Sequence, residues 1–111
     1  MASIVTYKYI KQNPDIMEYI RRADKALEGQ GFTEHSFVHV KKVSQTAGMI
    51  LTELGYDERT VELARIAGIM HDIGNVINRI DHAQSGAVMA FRLLDNLSMP
   101  ANEICSIISA I

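Results

Sequence analysis

The chain has 111 residues, which is enough for one small domain with a single hydrophobic core. Its residues are 48% hydrophobic but only 6% aromatic, so we expect a core of aliphatic side chains. The net charge is −2, and the absence of a Lys/Arg cluster argues against extended nucleic acid as a partner. No apolar run approaches the roughly 18 residues that a membrane helix needs. We therefore expect a cytoplasmic protein with no membrane partner.

The first half of the chain is predicted to be helical, because its apolar residues recur with helical spacing. Residues 1–12 are ambiguous and are expected to form one short helix. Asn13 and Pro14 then supply a cap and a first-turn proline for a longer helix, which Gly29-Gln30-Gly31 ends. The next helix is predicted over residues 33–54. Its apolar stripe is expected to contain His39, Val43, Thr46, Ala47, Ile50 and Leu54.

The second half continues the helical pattern. Asp57 is expected to cap a third helix that delivers His71, and a loop over residues 74–80 follows. A fourth helix is predicted to start at Asp81 or Ser85, with Asp81 as its cap, and a fifth to begin near residue 101. Two glycines inside helices, Gly48 and Gly68, each cost about 1 kcal/mol relative to alanine, which a close helix approach or a bend would explain.

The end of the chain is apolar. The isoleucines of the last predicted helix form a stripe that stops in mid-pattern: Ile104, Ile107, Ile108 and Ile111. Natural termini usually become polar, so we expect the sequence to be a truncated piece of a longer protein. Cys105, the only cysteine, lies among these isoleucines and is expected to be a buried structural thiol. Glu62, on the third helix, is interpreted as a solvated surface residue.

Four histidines and one aspartate carry the candidate chemistry. His71 and Asp72 are adjacent, so an imidazole and a carboxylate leave a buried helix together. His35 and His39 lie one turn apart on the preceding helix, and antiparallel neighbours bring the start of one helix beside the end of the next. His82 begins the helix after the loop. The sequence thus predicts that these side chains converge at one end of a helical bundle.

Such a mixed nitrogen and oxygen set suits a divalent transition metal such as iron, manganese, cobalt or zinc. An open site could polarise a phosphoryl oxygen and activate water, and two ions roughly 3.5–4 Å apart could share Asp72. The alternative is that the histidines are structural. Taken alone, His35 and His82 favour that alternative, whereas the position of His39 on its apolar stripe favours a ligand.

These residues resemble the HD-domain superfamily of metal-dependent phosphohydrolases, in its HDIG variant. The resemblance lies in His39-Val40-Lys41-Lys42-Val43, His71-Asp72-Ile73-Gly74 and His82-Ala83-Gln84-Ser85-Gly86-Ala87. It implies an all-α bundle, with an N-terminal helical segment over residues 1–32 and an HD-type domain over residues 33–111 that lacks the final ligand helix. It also implies hydrolysis of a phosphomonoester or phosphodiester, mostly of nucleotides, by metal-activated water.

The resemblance also assigns roles to residues. It implies that His39, His71 and Asp72 hold a first metal ion, that His71 and Asp72 are the catalytic pair, and that His82 serves a second ion. Iron or manganese is favoured, with one or two ions bound, and His35 is a rival or additional ligand.

The substrate side is less defined. Lys42 is a candidate contact for the substrate phosphate. The family often has lysine directly after the HDIG motif, where this chain has Asn75, so a phosphate contact would be missing or supplied elsewhere. The expected partner is a small phosphate ester or nucleotide, and a homo-oligomer is compatible with the sequence. Two alternatives stay open: a non-catalytic HD-fold signalling or interaction module, and a plain bundle without metal.

Overall fold

The structure is a computed structural model that describes residues 4–29, 36–77 and 81–111. Within these ranges the chain is helical, with no strand, which confirms the predicted all-α class. The α-helices are α1 (Tyr7–Gln12), α2 (Pro14–Gly29), α3 (Ser36–Glu53), α4 (Glu58–Met70), α5 (His82–Asn96) and α6 (Ala101–Ala110), and a 3-10 helix (Ile73–Val76) follows α4. None of the helices in the described ranges has the length and hydropathy to cross a bilayer.

Two of the predicted helix caps are confirmed. The side-chain oxygen of Asn13 accepts hydrogen bonds from the main-chain N–H groups of Asp15 and Ile16, at 3.0 and 3.1 Å. Asp57 accepts from the N–H of Thr60 at 3.2 Å and from its hydroxyl at 2.6 Å. These bonds satisfy donors that have no partner within the first turn of a helix, which explains why α2 and α4 begin there.

The prediction for Asp81 was right in position and wrong in chemistry. Asp81 precedes α5, but its backbone is left-handed, with φ 56°, and its side chain makes no capping hydrogen bond. The N–H of Ser85 donates instead to the main-chain carbonyl of Asp81, at 3.1 Å. The left-handed conformation therefore turns the chain into α5, without a carboxylate cap.

One aliphatic core joins the N-terminal helices to the rest of the bundle. Every helix, including the 3-10 helix, contributes at least one of the largest fully buried apolar side chains in the described ranges: Ile10, Ile16, Val40, Ile66, Ile69, Met70, Ile73, Leu94 and Ile107. Each such side chain stabilises the fold by about 1.5–3 kcal/mol relative to leaving it exposed. The predicted boundary between residues 32 and 33 lies outside the described residues, so the division into two segments stays a prediction.

Helices α3 and α4 run antiparallel and almost touch. Ser44 faces Gly68, and further along the pair His39 faces Asp72. A β-carbon on Gly68 would lie 2.7 Å from the α-carbon of Ser44, so the close approach predicted for this glycine is confirmed. The hydroxyl of Ser44 also donates to the carbonyl of Arg65 at 2.6 Å, which ties the helices together.

The apolar stripe predicted for α3 was wrong along most of its length. Over residues 39–53, where the burial of this helix is described, the buried residues are Val40, Ser44 and Gly48, whereas Ile50 is 50% exposed and Leu54, just after the helix, 68%. Two backbones that approach this closely need small side chains between them. The face toward α4 is therefore made of small residues, and the larger apolar ones lie outside it.

The last helix packs its isoleucine stripe inward. Ile104 and Ile107 are buried, and Ile108 and Ile111 pack partly against the core. Cys105 is exposed, so the prediction of a buried thiol was wrong. Cys105 lies outside the buried stripe of α6, because each residue of an α-helix is rotated by about 100° from the one before it.

A second correction concerns Glu62, which is half-buried in an ion network centred on Arg59. The guanidinium of Arg59 donates to the carbonyl of Val5 and to Glu62, both at 2.8 Å, and to both oxygens of Glu103, at 2.7 and 2.8 Å. Glu62 also accepts from the N–H of Tyr7 at 3.0 Å. The network joins the start of the chain, α4 and α6.

Candidate metal centre

Asp72 lies between three histidines. Its Oδ2 is 3.5 Å from Nε2 of His39 and 3.3 Å from Nε2 of His71. Its Oδ1 is 3.3 Å from Nε2 of His82. The rings of His39 and His71 meet edge to face, with centroids 5.3 Å apart. Imidazoles from α3, from the end of α4 and from the first residue of α5 thus converge on one carboxylate, as the spacing predicts.

The carboxylate forms the floor of this cluster and the imidazoles form its rim. The side chain of Asp72 is 11% exposed, whereas those of His39, His71 and His82 are between 27% and 36% exposed. The cluster is therefore open to solvent on the side of the rings.

The hydrogen bond of His71 fixes which of its nitrogens can bind a metal. Its Nδ1 lies 2.6 Å from the carbonyl oxygen of Gly68. Since a carbonyl only accepts, Nδ1 carries a proton, which leaves Nε2 as the nitrogen that could bind a metal. Nε2 of His71 lies 3.3 Å from Oδ2 of Asp72, so one metal ion could contact both atoms.

The donor atoms of His39, His71 and Asp72 lie close enough together to fit one divalent ion. One nitrogen each from His39 and His71 and one oxygen from Asp72 all lie within 4.8 Å of one another, so these residues could hold a metal. An imidazole whose other nitrogen donates to a carbonyl is the usual arrangement of a ligating histidine. His82 faces the other oxygen of Asp72 and lies outside this triplet of atoms.

The turn from α4 to the 3-10 helix places the two adjacent candidate ligands. Helix α4 ends at Met70 with His71 as its C-cap, and Asp72 is the residue that precedes the 3-10 helix. A β-carbon on Gly74 would overlap the carbonyl of His82 and lie 2.5 Å from the nitrogen of Gly86. Glycine is therefore required at position 74, because the backbone of α5 packs against it and thereby brings His82 to the cluster.

Asn75 has a role in the site that was not predicted from the sequence. Its side-chain NH₂ donates to the main-chain carbonyl of Asp72 at 2.8 Å, and its own N–H donates to the same oxygen at 3.0 Å. The residue is 1% exposed. Its side chain is therefore buried against the main chain of Asp72. The signal available in the sequence was a short amide three residues after a candidate ligand, a spacing that allows such a bond.

Two other predicted site residues stand apart from the cluster. His35 lies outside the described residues. Lys42 is exposed on α3, three residues after His39 and on the neighbouring turn. Its contact with a substrate phosphate stays a prediction.

Comparison with known proteins gives the following. A family model described as the HD domain matches residues 36–110. Ribonuclease Y of Enterococcus faecalis is 33% identical over 98 residues, which cover 85% of this chain and 17% of that protein. Ribonuclease Y of Dehalococcoides mccartyi is 39% identical over 80 residues, or 68% of this chain and 14% of that protein. Ribonuclease Y of Aquifex aeolicus is 36% identical over 66 residues, which cover 60% of this chain and 11% of that protein.

The matched region contains the whole cluster. The chain spans less than a fifth of the length of these curated relatives, and no solved structure matches it. The family model covers well over half of the chain and includes His39, His71, Asp72 and His82. The resemblance seen in the sequence is confirmed, and the chain belongs to the HD-domain family.

Proposed function

We propose that this chain is the metal-binding domain of a phosphohydrolase that cleaves phosphate esters with metal-activated water. The observation that carries the proposal is the convergence of three imidazole Nε2 atoms on the two oxygens of Asp72, at 3.3–3.5 Å. His39, His71 and Asp72 would hold a first ion, iron or manganese. A bound divalent ion would supply Lewis acidity at the phosphoryl oxygen and a water of lowered pKa.

A second ion would lie between Asp72 and His82. The two oxygens of Asp72 face different partners, His39 and His71 on one side and His82 on the other. A carboxylate in this position can bridge two ions, so Asp72 would be shared. His71 and Asp72 are then the catalytic pair, because both would hold the metal ion that acts on the substrate. His35 is retained in the proposal as an additional ligand.

The proposed substrate is a phosphomonoester or phosphodiester, with a nucleotide as the small-molecule form. The relatives bear the name ribonuclease, which supports a phosphodiester of RNA as a second form to test. The exclusion of extended nucleic acid, argued from charge alone, is therefore not carried into the proposal. Lys42 is proposed to contact the phosphate, since it is exposed and on the turn next to His39.

Metal binding is the decisive measurement. Calorimetric titration of the metal-free protein with Mn²⁺ should show one or two sites in the wild type and none in Asp72→Ala, with far-UV circular dichroism unchanged. Asp95→Ala, which removes an exposed carboxylate of α5, is the matched control and should bind like the wild type. A wild-type protein that binds no Mn²⁺ or Fe²⁺ would reject the proposal in favour of a plain bundle.

Turnover is measured separately, on a generic phosphodiester, a panel of nucleotides and a short RNA, with and without Mn²⁺ or Fe²⁺. Metal-dependent hydrolysis that is lost in Asp72→Ala supports the enzyme, and the substrate cleaved identifies the class. Lys42→Ala should raise KM more than its exposed neighbour Lys41→Ala does. Tight metal binding without cleavage of any of these substrates would favour the alternative, a non-catalytic HD-fold module.

A further inference from the structure

Asn75 and Asp72 are joined by two hydrogen bonds to a single oxygen. Both the side-chain NH₂ and the main-chain N–H of Asn75 donate to the carbonyl of Asp72, at 2.8 and 3.0 Å. The main-chain bond belongs to the 3-10 turn and would form with almost any residue at position 75. The side-chain bond depends on the asparagine, so its contribution can be separated by substitution.

We propose that Asn75 is a positioning residue that holds the Asp72 carboxylate in the orientation that binds metal, an inference that rests on the proposed function. Asp72 makes no side-chain capping bond of its own, and its backbone has φ −98° and ψ 4°, at the edge of the helical region. Two donors on its carbonyl fix these torsions. Because the torsions set the direction of the β-carbon, they also set where the carboxylate meets the three imidazoles.

The cost of Asn75 to stability supports a functional role. Its Oδ1 is buried, and no described residue donates to it. A buried acceptor without a partner costs about 1–3 kcal/mol, which an aliphatic side chain in the same place would avoid. Stability alone therefore does not favour asparagine at a position that is 1% exposed. Such departures from the best-packed residue are expected where a site must be held in place.

The size of the effect follows from what residues behind metal ligands do in general. Loss of a hydrogen-bond partner of a ligand typically weakens metal affinity by about 10–100-fold. We expect an effect of this size here, because all three histidines share Asp72 and a displaced carboxylate would weaken each contact.

The experiment compares two substitutions of nearly equal size, Asn75→Ser and Asn75→Ala, by calorimetric titration with Mn²⁺. A serine hydroxyl can donate to a main-chain carbonyl three or four residues before it, as Ser106 does to Asn102, four residues earlier, at 3.1 Å. Alanine cannot. The serine variant should therefore bind Mn²⁺ within about threefold of the wild type, and the alanine variant about 10–100-fold more weakly. Equal Kd values for the wild type and Asn75→Ala would overturn the inference.

Two further variants separate positioning from stability and charge. Ser44→Ala also removes a buried bond from a side chain to a carbonyl, and it should lower the melting temperature while leaving the Kd for Mn²⁺ unchanged. Asn75→Asp keeps the size of the side chain but has no NH₂ group. Charge alone would make this variant bind the cation more tightly, whereas the positioning role predicts weaker binding, and this comparison decides the matter if Asn75→Ala fails to fold. A wild type that binds no Mn²⁺ rejects the proposed function itself.

Discussion

Gly74 lies so close to His82 that a β-carbon on the glycine would overlap the histidine's main-chain carbonyl. This contact links the two ends of the candidate metal centre, since Gly74 follows Asp72 by two residues and His82 begins α5. The third imidazole reaches the carboxylate because two backbones touch at this point. The glycine of the His71-Asp72-Ile73-Gly74 motif thus has a steric role in bringing α5 to the other two segments of the site.

Gly74→Ala should therefore destabilise the protein and weaken metal binding together. Forcing a methyl group into backbone costs about 3 kcal/mol, the upper end of what overpacking usually costs, because neither carbonyl nor helix can move freely. The matched control is Gly86→Ala, whose β-carbon would lie 3.3–3.5 Å from its neighbours and should cost about 1 kcal/mol. Urea unfolding measures the stability of the two variants, and titration with Mn²⁺ measures the metal binding of Gly74→Ala. Equal losses in the two variants would contradict the steric role.

The glycines of the α3–α4 interface make a second prediction, on stability alone. At Gly68 a new β-carbon would meet the backbone of Ser44, whereas at Gly48 it would meet the flexible side chain of Arg65. Gly68→Ala should cost about 3 kcal/mol, whereas Gly48→Ala should be near neutral, because alanine gains about 1 kcal/mol of helix propensity and Arg65 can move aside. Thermal unfolding of the two variants checks this, and a larger loss for Gly48→Ala would show that Arg65 cannot yield.

The helices and the convergence of the candidate ligands could be predicted from the sequence because both follow from local geometry. Residues one turn apart share a face, and consecutive antiparallel helices bring the start of one beside the end of the other. These rules predict that His39 lies beside Asp72, and in the structure Nε2 of His39 is 3.5 Å from Oδ2 of Asp72. The caps formed by Asn13 and Asp57 could also be predicted, since a cap depends on only the next three residues.

What could not be predicted depends on contacts between segments. The buried face of α3 includes Ser44 and Gly48, which a hydrophobic pattern does not single out, because they are buried for their small size. Glu62 was predicted to be a surface residue, because its contacts with Arg59 and with the N–H of Tyr7 form only in the folded protein. Asn75 looked like a departure from a motif, and only the fold shows that its amide faces the carbonyl of Asp72.

The ion network makes a prediction about pH. Hydrogen bonds and charge from Arg59 hold the pKa of Glu103 below its ordinary value, and the Glu103 side chain is 18% exposed. Because the folded-state pKa is lower than the unfolded one, the pair stabilises the fold above the ordinary glutamate pKa of about 4.3 and loses this contribution as the pH falls below it. Glu103→Gln should lower the free energy of unfolding by about 2 kcal/mol at neutral pH and flatten its acid dependence.

Glu18 is the matched control for that measurement. Hydrogen bonds from Arg21 and Arg22 lower its pKa to about 2, but all three side chains are close to half exposed or more. Water and salt screen such a pair, so Glu18→Gln should change stability little at any pH. Unfolding in urea at neutral and acidic pH compares the two substitutions. A larger effect for Glu18→Gln would mean that the Arg59 network does not carry the pH dependence.

The two faces of Asp72 predict different results for two histidine substitutions. His39 shares Oδ2 with His71, whereas His82 faces Oδ1. If Asp72 bridges two ions, His82→Ala should reduce the Mn²⁺ stoichiometry from two to one and leave the tighter site within about threefold of its wild-type Kd, since that site keeps all of its ligands. His39→Ala should instead weaken the tighter site by about 10–100-fold. Calorimetric titration separates the stoichiometry from the Kd. A wild-type stoichiometry of one that both substitutions weaken equally would replace the bridged pair with a single ion held by all three imidazoles.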